Sequence, residues 1–348
     1  MRKAPEKVPR RGLHGWLAAG LACILMAAPA LGAAPGTLRA DIDPGAALTF
    51  GILPIGGPAE SLGAWRPMLD DMQGALGRPI HAVSVTTYEG IAQAISERRV
   101  DIAFLSGRLA LDAVTRENMR VIGHLTRGDG SKGYYAVLLS AAGAKPASLD
   151  QMFMQPGKWR FARGEALSVS GYLVPEAQLF AARGVDSDTF FASVHIDNHQ
   201  NNALAVANGE ADVATNNSAD LERFQQHFPE QFARLRVLWK STLIPHAVIV
   251  IRNDLPPALR DRVAQFITGY GKGKDGAREL ANMRLIHDIS GFAPADNIDL
   301  IPFAQIEYAL DKRRATSAHW ISEEARNARF QKIEADHGKL IALLRVKP

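Results

Sequence analysis

The chain has 348 residues, 47 % of them apolar and 22 % charged, with a formal net charge of +4. Five of its 40 Lys and Arg residues and one of its 36 Asp and Glu residues fall in positions 1–32, so the remainder carries 35 of each and is close to neutral. The basic excess therefore argues for neither a nucleic-acid partner nor an anionic membrane, and the single cysteine, Cys23, excludes a disulfide framework, a cysteine metal site or a thiol nucleophile after that position.

Arg2, Lys3, Lys7, Arg10 and Arg11 precede an apolar run from Leu13 to about Leu31, with small residues at Ala30, Gly32, Ala33 and Ala34. This pattern predicts a secretory signal peptide over 1–33 and a periplasmic product. Lipid attachment at Cys23 is the alternative, but Gly20 stands where a leucine is preferred. No later apolar stretch is long enough to span a bilayer. Roughly 315 residues remain, which suits two lobes better than one core.

Strands and helices then alternate. Strands are expected at Leu48–Ile55, Ile80–Val85, Asp101–Leu105, Met119–Thr126 and Tyr134–Ser140. Helices are expected at Ala59–Leu76, with Leu62, Trp65, Met68, Leu69 and Met72 on one face, and at Tyr88–Arg98. A second set follows: a helix at Ser148–Met154, a strand at Lys158–Ala162, a helix at Ser170–Arg183 and a strand at Ala192–Ile196. Asn217–His227 reads as a helix, and Leu235–Ser241 and His246–Arg252 as strands. This order predicts an α/β fold with parallel sheets covered by helices on both faces. Tyr134–Ser140 and His246–Arg252 are read as crossings between lobes. Lobe one is then discontinuous, 46–137 with 250–310, and lobe two is 138–249. The remainder, 311–348, is a charged helical tail with Trp320, Ile321, Phe330, Ile333, Leu340, Leu343 and Leu344 as apolar anchors. It is expected to pack on lobe one, with Gly338 breaking the helix; a homodimer helix is the alternative.

One pattern is written twice. Tyr88-Glu89-Gly90-Ile91-Ala92-Gln93-Ala94-Ile95 runs on to Asp101-Ile102-Ala103, and His199-Gln200-Asn201-Asn202-Ala203-Leu204-Ala205-Val206 runs on to Asp212-Val213-Ala214. Both copies space the first residue and the aspartate by 13 positions. Each reads as a helix followed by a short buried strand. Each helix begins on a side chain able to hydrogen-bond, where unpaired backbone N–H groups favour anions. Two such lobes predict a cleft that closes on a small anion. Between the copies, Ser168-Val169-Ser170-Gly171-Tyr172 opens a helix with two hydroxyls and a glycine, a donor-rich cradle for a tetrahedral oxyanion or a plain helix cap.

Gly133-Tyr134-Tyr135, Ser168-x-Ser170-Gly171-Tyr172-Leu173-Val174-Pro175, His199-x-x-Asn202-Ala203-Leu204-Ala205-Val206-Ala207-Asn208, Asp212-Val213-Ala214-Thr215-Asn216-Asn217 and Trp239-Lys240-Ser241-x-Leu243-Ile244-Pro245 occur in that order. Over about 48–315 the chain thereby resembles the periplasmic phosphonate-binding components of ABC importers. The resemblance implies the type II periplasmic binding protein fold, two α/β lobes with two hinge crossings and a ligand cleft between them. It implies capture of an organophosphonate or small phosphorus oxyanion for a permease in the inner membrane, without enzymatic activity. Mapped residue by residue, the phosphonate contacts fall on Tyr88, Tyr134, Ser168, Ser170 and His199, with Val169 and Gly171 in the same cradle. The chain departs at Val169, where relatives often carry threonine. Relatives that bind aminoethylphosphonate place acids where this chain has Ala219 and Ala247; Asp220, next to the first, is expected to point about 100° away. A ligand with a short or uncharged tail is therefore expected.

No cofactor, metal or nucleotide motif is present: there is no H-E-x-x-H and no P-loop. A hydrolase built on Ser168, His199 and Asp212 lacks the G-x-S-x-G elbow. An exported co-receptor for a sensor kinase, or the same fold around a non-phosphorus anion, would use the same residues.

Overall fold

The computed structural model describes residues 45–346 apart from Gly56 and His287. The expected signal peptide and Cys23 lie outside the described residues. Along the chain, β1 (Leu48–Ile52), α1 (Pro58–Leu76), β2 (Ile80–Ser84), α2 (Tyr88–Ser96), β3 (Ile102–Leu105), α3 (Gly107–Arg116) and β4 (Met119–Arg127) come first. A two-residue strand, β5 (Gly133–Tyr134), leads to β6 (Ala136–Ala141), α4 (Leu149–Phe153), β7 (Arg160–Arg163), α5 (Ser187–Phe190), β8 (Ser193–Ile196), α6 (His199–Ala207), β9 (Val213–Asn217), α7 (Ser218–His227), α8 (Pro229–Phe232) and β10 (Leu235–Lys240). A second short strand, β11 (Ile244–Pro245), returns the chain to β12 (Val248–Arg252), α9 (Pro257–Gly269), α10 (Gly276–Leu285) and β13 (Ile289–Pro294). Two long helices, α11 (Ile301–Ser317) and α12 (Glu323–Arg345), end it.

The strands form a six-stranded sheet in the order β13-β4-β12-β3-β1-β2, a five-stranded sheet in the order β10-β6-β9-β7-β8, and a ribbon of β5 with β11. Each larger sheet with its helices is one lobe. The sheets are mixed rather than parallel: β1 runs parallel to β2 and β3, but β12 is antiparallel to β3 and β4, as β6 is to β9. A strand that arrives through a crossing enters its sheet from the opposite end, so the parallel expectation fails there. At the ribbon, a side chain on Gly133 would place its Cβ 2.1 Å from the Ile244 carbonyl oxygen, so only glycine lets the two passages touch.

The repeated motif has a structural cause. The Asp101 carboxylate accepts from the Thr49 N–H at 2.9 Å, and the Asp212 carboxylate accepts from the Arg160 N–H at 2.8 Å. In each lobe the aspartate thus satisfies an N–H in the first two residues of the neighbouring parallel strand. The copies also share a left-handed residue after the helix, Arg98 (φ 60°) and Gly209 (φ 78°), which turns the chain back towards its strand.

Trp65 on α1 lies between Phe50 and Phe104, with ring centroids 5.0 and 5.1 Å away. Side chains of this kind each contribute about 1.5–3 kcal/mol on burial. Leu62, expected on the same face, is exposed. In lobe two, Phe161, Phe180, Phe190 and Phe191 form a stacked and edge-on cluster.

The expected helix over Ser170–Arg183 is instead a pair of π-helical turns, Val169–Leu173 and Glu176–Phe180, closed by a 3-10 turn at Ala181–Arg183. Pro175 has no N–H to give the Gly171 carbonyl four residues back. That carbonyl accepts from the Thr215 hydroxyl at 2.7 Å and the Gly164 N–H at 3.2 Å instead. The tail also differs from expectation. α12 runs unbroken through Gly338, the break falling at 318–322, and Ile321 is 98 % exposed. α11 packs on α3 of lobe one and on the turns 169–183 of lobe two, where Leu310 is buried with Leu173 and Ala177.

Candidate functional site

A cavity of about 90 Å³ lies between the two sheets, reached by the carboxyl ends of β3, β7 and β9. Loops there are anchored by rigid strands yet free to present polar groups, which is why open α/β sheets bind ligands at that edge. Tyr88, Tyr134, Ser168, Val169, Ser170 and His199 all line this cavity. Gly171 does not. Its N–H is taken by the Ser168 hydroxyl at 3.0 Å, and its Cα packs so closely on Gly164 that a Cβ would come within 2.8 Å of the Gly164 Cα. Gly171 shapes the cradle rather than lining it.

The three cradle residues of lobe two are buried: Ser168 is 2 % exposed, Ser170 3 % and His199 7 %. Ser170 Oγ lies 3.2 Å from His199 Nε2 and 3.4 Å from Asn217 Nδ2. The phenols enter from the other side, Tyr88 against Ser168 and Tyr134 against Ser170. Burial pushes both phenol ionisations up, with the neighbouring Tyr134 adding to the shift at Tyr88. Burial pushes the His199 imidazole down, so the ring is neutral at pH 7. His199 stands at the start of α6, which Asn198 caps by accepting from the Asn201 N–H at 2.9 Å, and its carbonyl is held by Asn216 Nδ2 at 2.7 Å. With the cation that lines the same cavity, Arg127, paired with Glu222, the result is a set of neutral donors. Such groups can give a tetrahedral oxyanion several hydrogen bonds without a counter-charge.

The first helix start is not available to an anion. Both Glu165 oxygens, from lobe two, accept from the Tyr88 N–H at 3.0 and 2.9 Å. Tyr88 therefore contributes its phenol and not the helix N-terminus. Expectation also fails at Asp220, which lines the cavity with Ala219. Asn217 caps α7 by accepting from the Asp220 N–H at 2.8 Å, and its Nδ2 donates to the Asp220 carboxylate at 2.7 Å. That pairing holds the first turn of α7 against the cleft, so a 100° step does not carry Asp220 out of it. Beyond the cradle the walls are apolar, with Leu125, Ala247, Ile286 and Ile289. Arg127 also reaches the cavity but pairs with Glu222 at 2.8 Å.

Sequence reasoning missed Asn217 and His246 as lining residues. His246 stacks on Tyr134, centroids 6.2 Å apart, with its Nε2 3.1 Å from the Ser131 carbonyl oxygen. The signal for Asn217 was present: Thr215, Asn216 and Asn217 are three consecutive polar residues on a fully buried strand. Buried polar groups in such a run need partners, and a strand end is where a site supplies them.

Residues 50–300 match the model of the family described as the periplasmic substrate-binding protein of the phosphonate ABC transporter. The chain is 32 % identical over 292 residues to the phosphonates-binding periplasmic protein of Escherichia coli K12, covering 83 % of this chain and 84 % of that one. The crystal structure of a binding protein component of an ABC phosphonate transporter from Pseudomonas aeruginosa superposes with a TM-score of 0.79 at 30 % identity, covering 84 % of this chain and 96 % of that one. PhnD1 from Prochlorococcus marinus, in complex with methylphosphonate, shares the fold with a TM-score of 0.65 at 17 % identity, covering 78 % of this chain and all of that one. The chain belongs to the phosphonate-binding family of periplasmic substrate-binding proteins of ABC transporters.

Proposed function

We propose that this protein captures a small phosphorus oxyanion with a short, uncharged substituent and delivers it to an inner-membrane ABC permease. The observation that carries this reading is the convergence of Tyr88, Tyr134, Ser168, Ser170 and His199, drawn from both lobes, on one cavity. Lobe one is taken as 46–137 with 250–310 and lobe two as 138–249, to within the two residues by which these bounds cut into β6 and β12, with the ribbon of β5 and β11 as the passage between them. The phenols, the serine hydroxyls and the imidazole bind the oxyanion. The backbone N–H groups of Val169 and Ser170 add to them, being in a first turn where no helical carbonyl precedes them. Val169 and the apolar wall at Leu125, Ala247, Ile286 and Ile289 receive the substituent. A signal peptide over 1–33, as the sequence pattern predicts, exports the protein to the periplasm in this reading.

The site binds and does not react. A hydrolytic triad is not assembled: His199 pairs with Ser170 rather than Ser168, and Asp212 pairs with Arg160 at the opposite end of β9. Ligand contacts on both lobes favour the closed form, and closure is what a permease can read.

Asp220 sharpens the test. Its charge acts on Tyr88, Tyr134 and His199, so it opposes a fully ionised ligand in the cradle. A thermal-shift panel at pH 8 should compare methylphosphonate, phosphite, phosphate and aminoethylphosphonate on wild type and Asp220→Asn. Methylphosphonate or phosphite should stabilise wild type most, and Asp220→Asn should gain stabilisation with both. If aminoethylphosphonate is strongest and Asp220→Asn abolishes that advantage, the substituent is cationic and this assignment is wrong.

A further inference from the structure

A second cavity of about 290 Å³ adjoins the first, sharing Tyr88, Ser168 and His199 with it. Its charged and titratable lining is Glu89 and Tyr88 from α2, Glu165 from the loop after β7, and Asp197 and His199 from the start of α6. His195 on β8 stands 3.6 Å from Asp197, and no lysine or arginine is among the lining residues. Three carboxyl groups thus line one cavity, and two of them, Glu165 and Glu89, lie against each other.

Glu165 occupies a particular place in this group. Its side chain belongs to lobe two, but both its oxygens accept from the Tyr88 N–H of lobe one at 3.0 and 2.9 Å. The Glu89 carboxyl and backbone N–H lie against the same group. Its own carbonyl accepts from the Ser168 N–H at 2.9 Å, so the turn that carries it is the turn that presents the cradle. Other contacts join the lobes, Glu60 with Arg223 and Arg127 with Glu222. Those are pairs of opposite charge at the rim. Glu165 instead brings an acid onto an acid beside a ligand that is itself an anion.

We propose that Glu165 is a positioning residue that latches lobe two onto the start of α2, and that its carboxyl, set against Glu89, holds a proton when the lobes are closed, so that anion capture takes up a proton. The proposal rests on the anion-binding reading of the cleft. Like charges in contact cannot both ionise without a large cost, and a bound proton removes it. Burial first, and Glu89 second, push the Glu165 carboxyl from the ordinary 4.5 to about 7, against the pull of the Tyr88 and Glu89 N–H groups. The sign follows from linkage. A closed form that holds a proton which the open form releases is favoured as pH falls. Affinity should therefore weaken as pH rises between about 4.5 and 7, by up to about tenfold per pH unit for one proton.

The test is calorimetric titration of methylphosphonate between pH 5 and 8.5, in buffers of different ionisation enthalpy, on wild type, Glu165→Gln, Glu89→Gln and Glu165→Ala. The ligand's own ionisation is common to all four and cancels in the ratios. Glu165→Gln keeps an acceptor for the Tyr88 N–H and carries no charge, so it should bind at least as tightly as wild type at pH 8 and lose proton uptake. Glu89→Gln should flatten the profile in the same way. Glu165→Ala should lose the same pH slope and bind about tenfold more weakly than Glu165→Gln at every pH, while keeping its melting temperature within a few degrees. If wild type binds and the two glutamine variants keep its pH slope, proton uptake by Glu165 is refuted while the cradle stands. If Glu165→Ala binds within twofold of Glu165→Gln throughout, the latch is refuted. Absence of binding to methylphosphonate, phosphite and phosphate at every pH refutes the cradle and the latch together.

Discussion

Ser170 gives the sharpest test of the cradle. Its hydroxyl is 3 % exposed and sits where His199 Nε2 (3.2 Å), Asn217 Nδ2 (3.4 Å) and the Tyr134 phenol meet. Ser170→Ala removes one oxygen and leaves the π-turn intact, because that turn is held by the Ser168 hydroxyl and the Gly171 carbonyl rather than by Ser170. A hydrogen bond to a charged group contributes about 1.5–3 kcal/mol. Each 1.4 kcal/mol is about tenfold in affinity, so methylphosphonate binding should fall by roughly ten- to a hundredfold. Part of that loss reflects His199 and Asn217, which lose a common partner and must reorganise. Calorimetry on variant and wild type at one pH reads the change, with a thermal melt as the folding control. An affinity within twofold of wild type, on a protein of unchanged melting temperature, would mean that Ser170 faces no anion.

Other consequences concern packing and charge. Gly164→Ala puts a Cβ 2.8 Å from the Gly171 Cα, and overpacking of this kind costs about 1–3 kcal/mol; urea denaturation should show that loss, and anion affinity should fall with it because the cradle turn moves. Asp101→Ala removes the acceptor of the Thr49 N–H and should cost about 1–3 kcal/mol in the same assay. His199 is held neutral by burial, its folded value lying below the usual 6.5. Its contribution is therefore present above pH 6.5 and lost as pH falls through the folded value, at about 1.4 kcal/mol per unit. The melting temperature of ligand-free protein should drop from pH 6.5 to 5, and His199→Gln should drop less over the same range.

Much of the site was legible in the residues themselves. Tyr88, Tyr134, Ser168, Ser170 and His199 stand in ordered local motifs whose spacing survives because helix starts and strand ends are local structures. The repeat was legible for the same reason: a 13-residue spacing is one helix and one turn, and its aspartate performs the same strand-capping task twice. Apolar periodicity placed α1 to within a residue, and the repeat placed the starts of α2 and α6.

Contacts between distant segments were decided only by the tertiary structure. No local pattern says that Glu165 lies on the start of α2, because the two are 77 positions apart and meet only when the lobes do. No local pattern says that the Gly171 carbonyl, freed by Pro175, is satisfied by Thr215, which turns an expected α-helix into π-turns. The orientation of Asp220 depended on its cap, Asn217, and not on helical geometry alone. The residue types and their order were enough to propose an anion cleft, since hydroxyls, phenols and imidazole act through what they are. Which of them face the ligand, and which N–H groups are already taken, depends on pairings across long sequence separation that only the folded chain brings together.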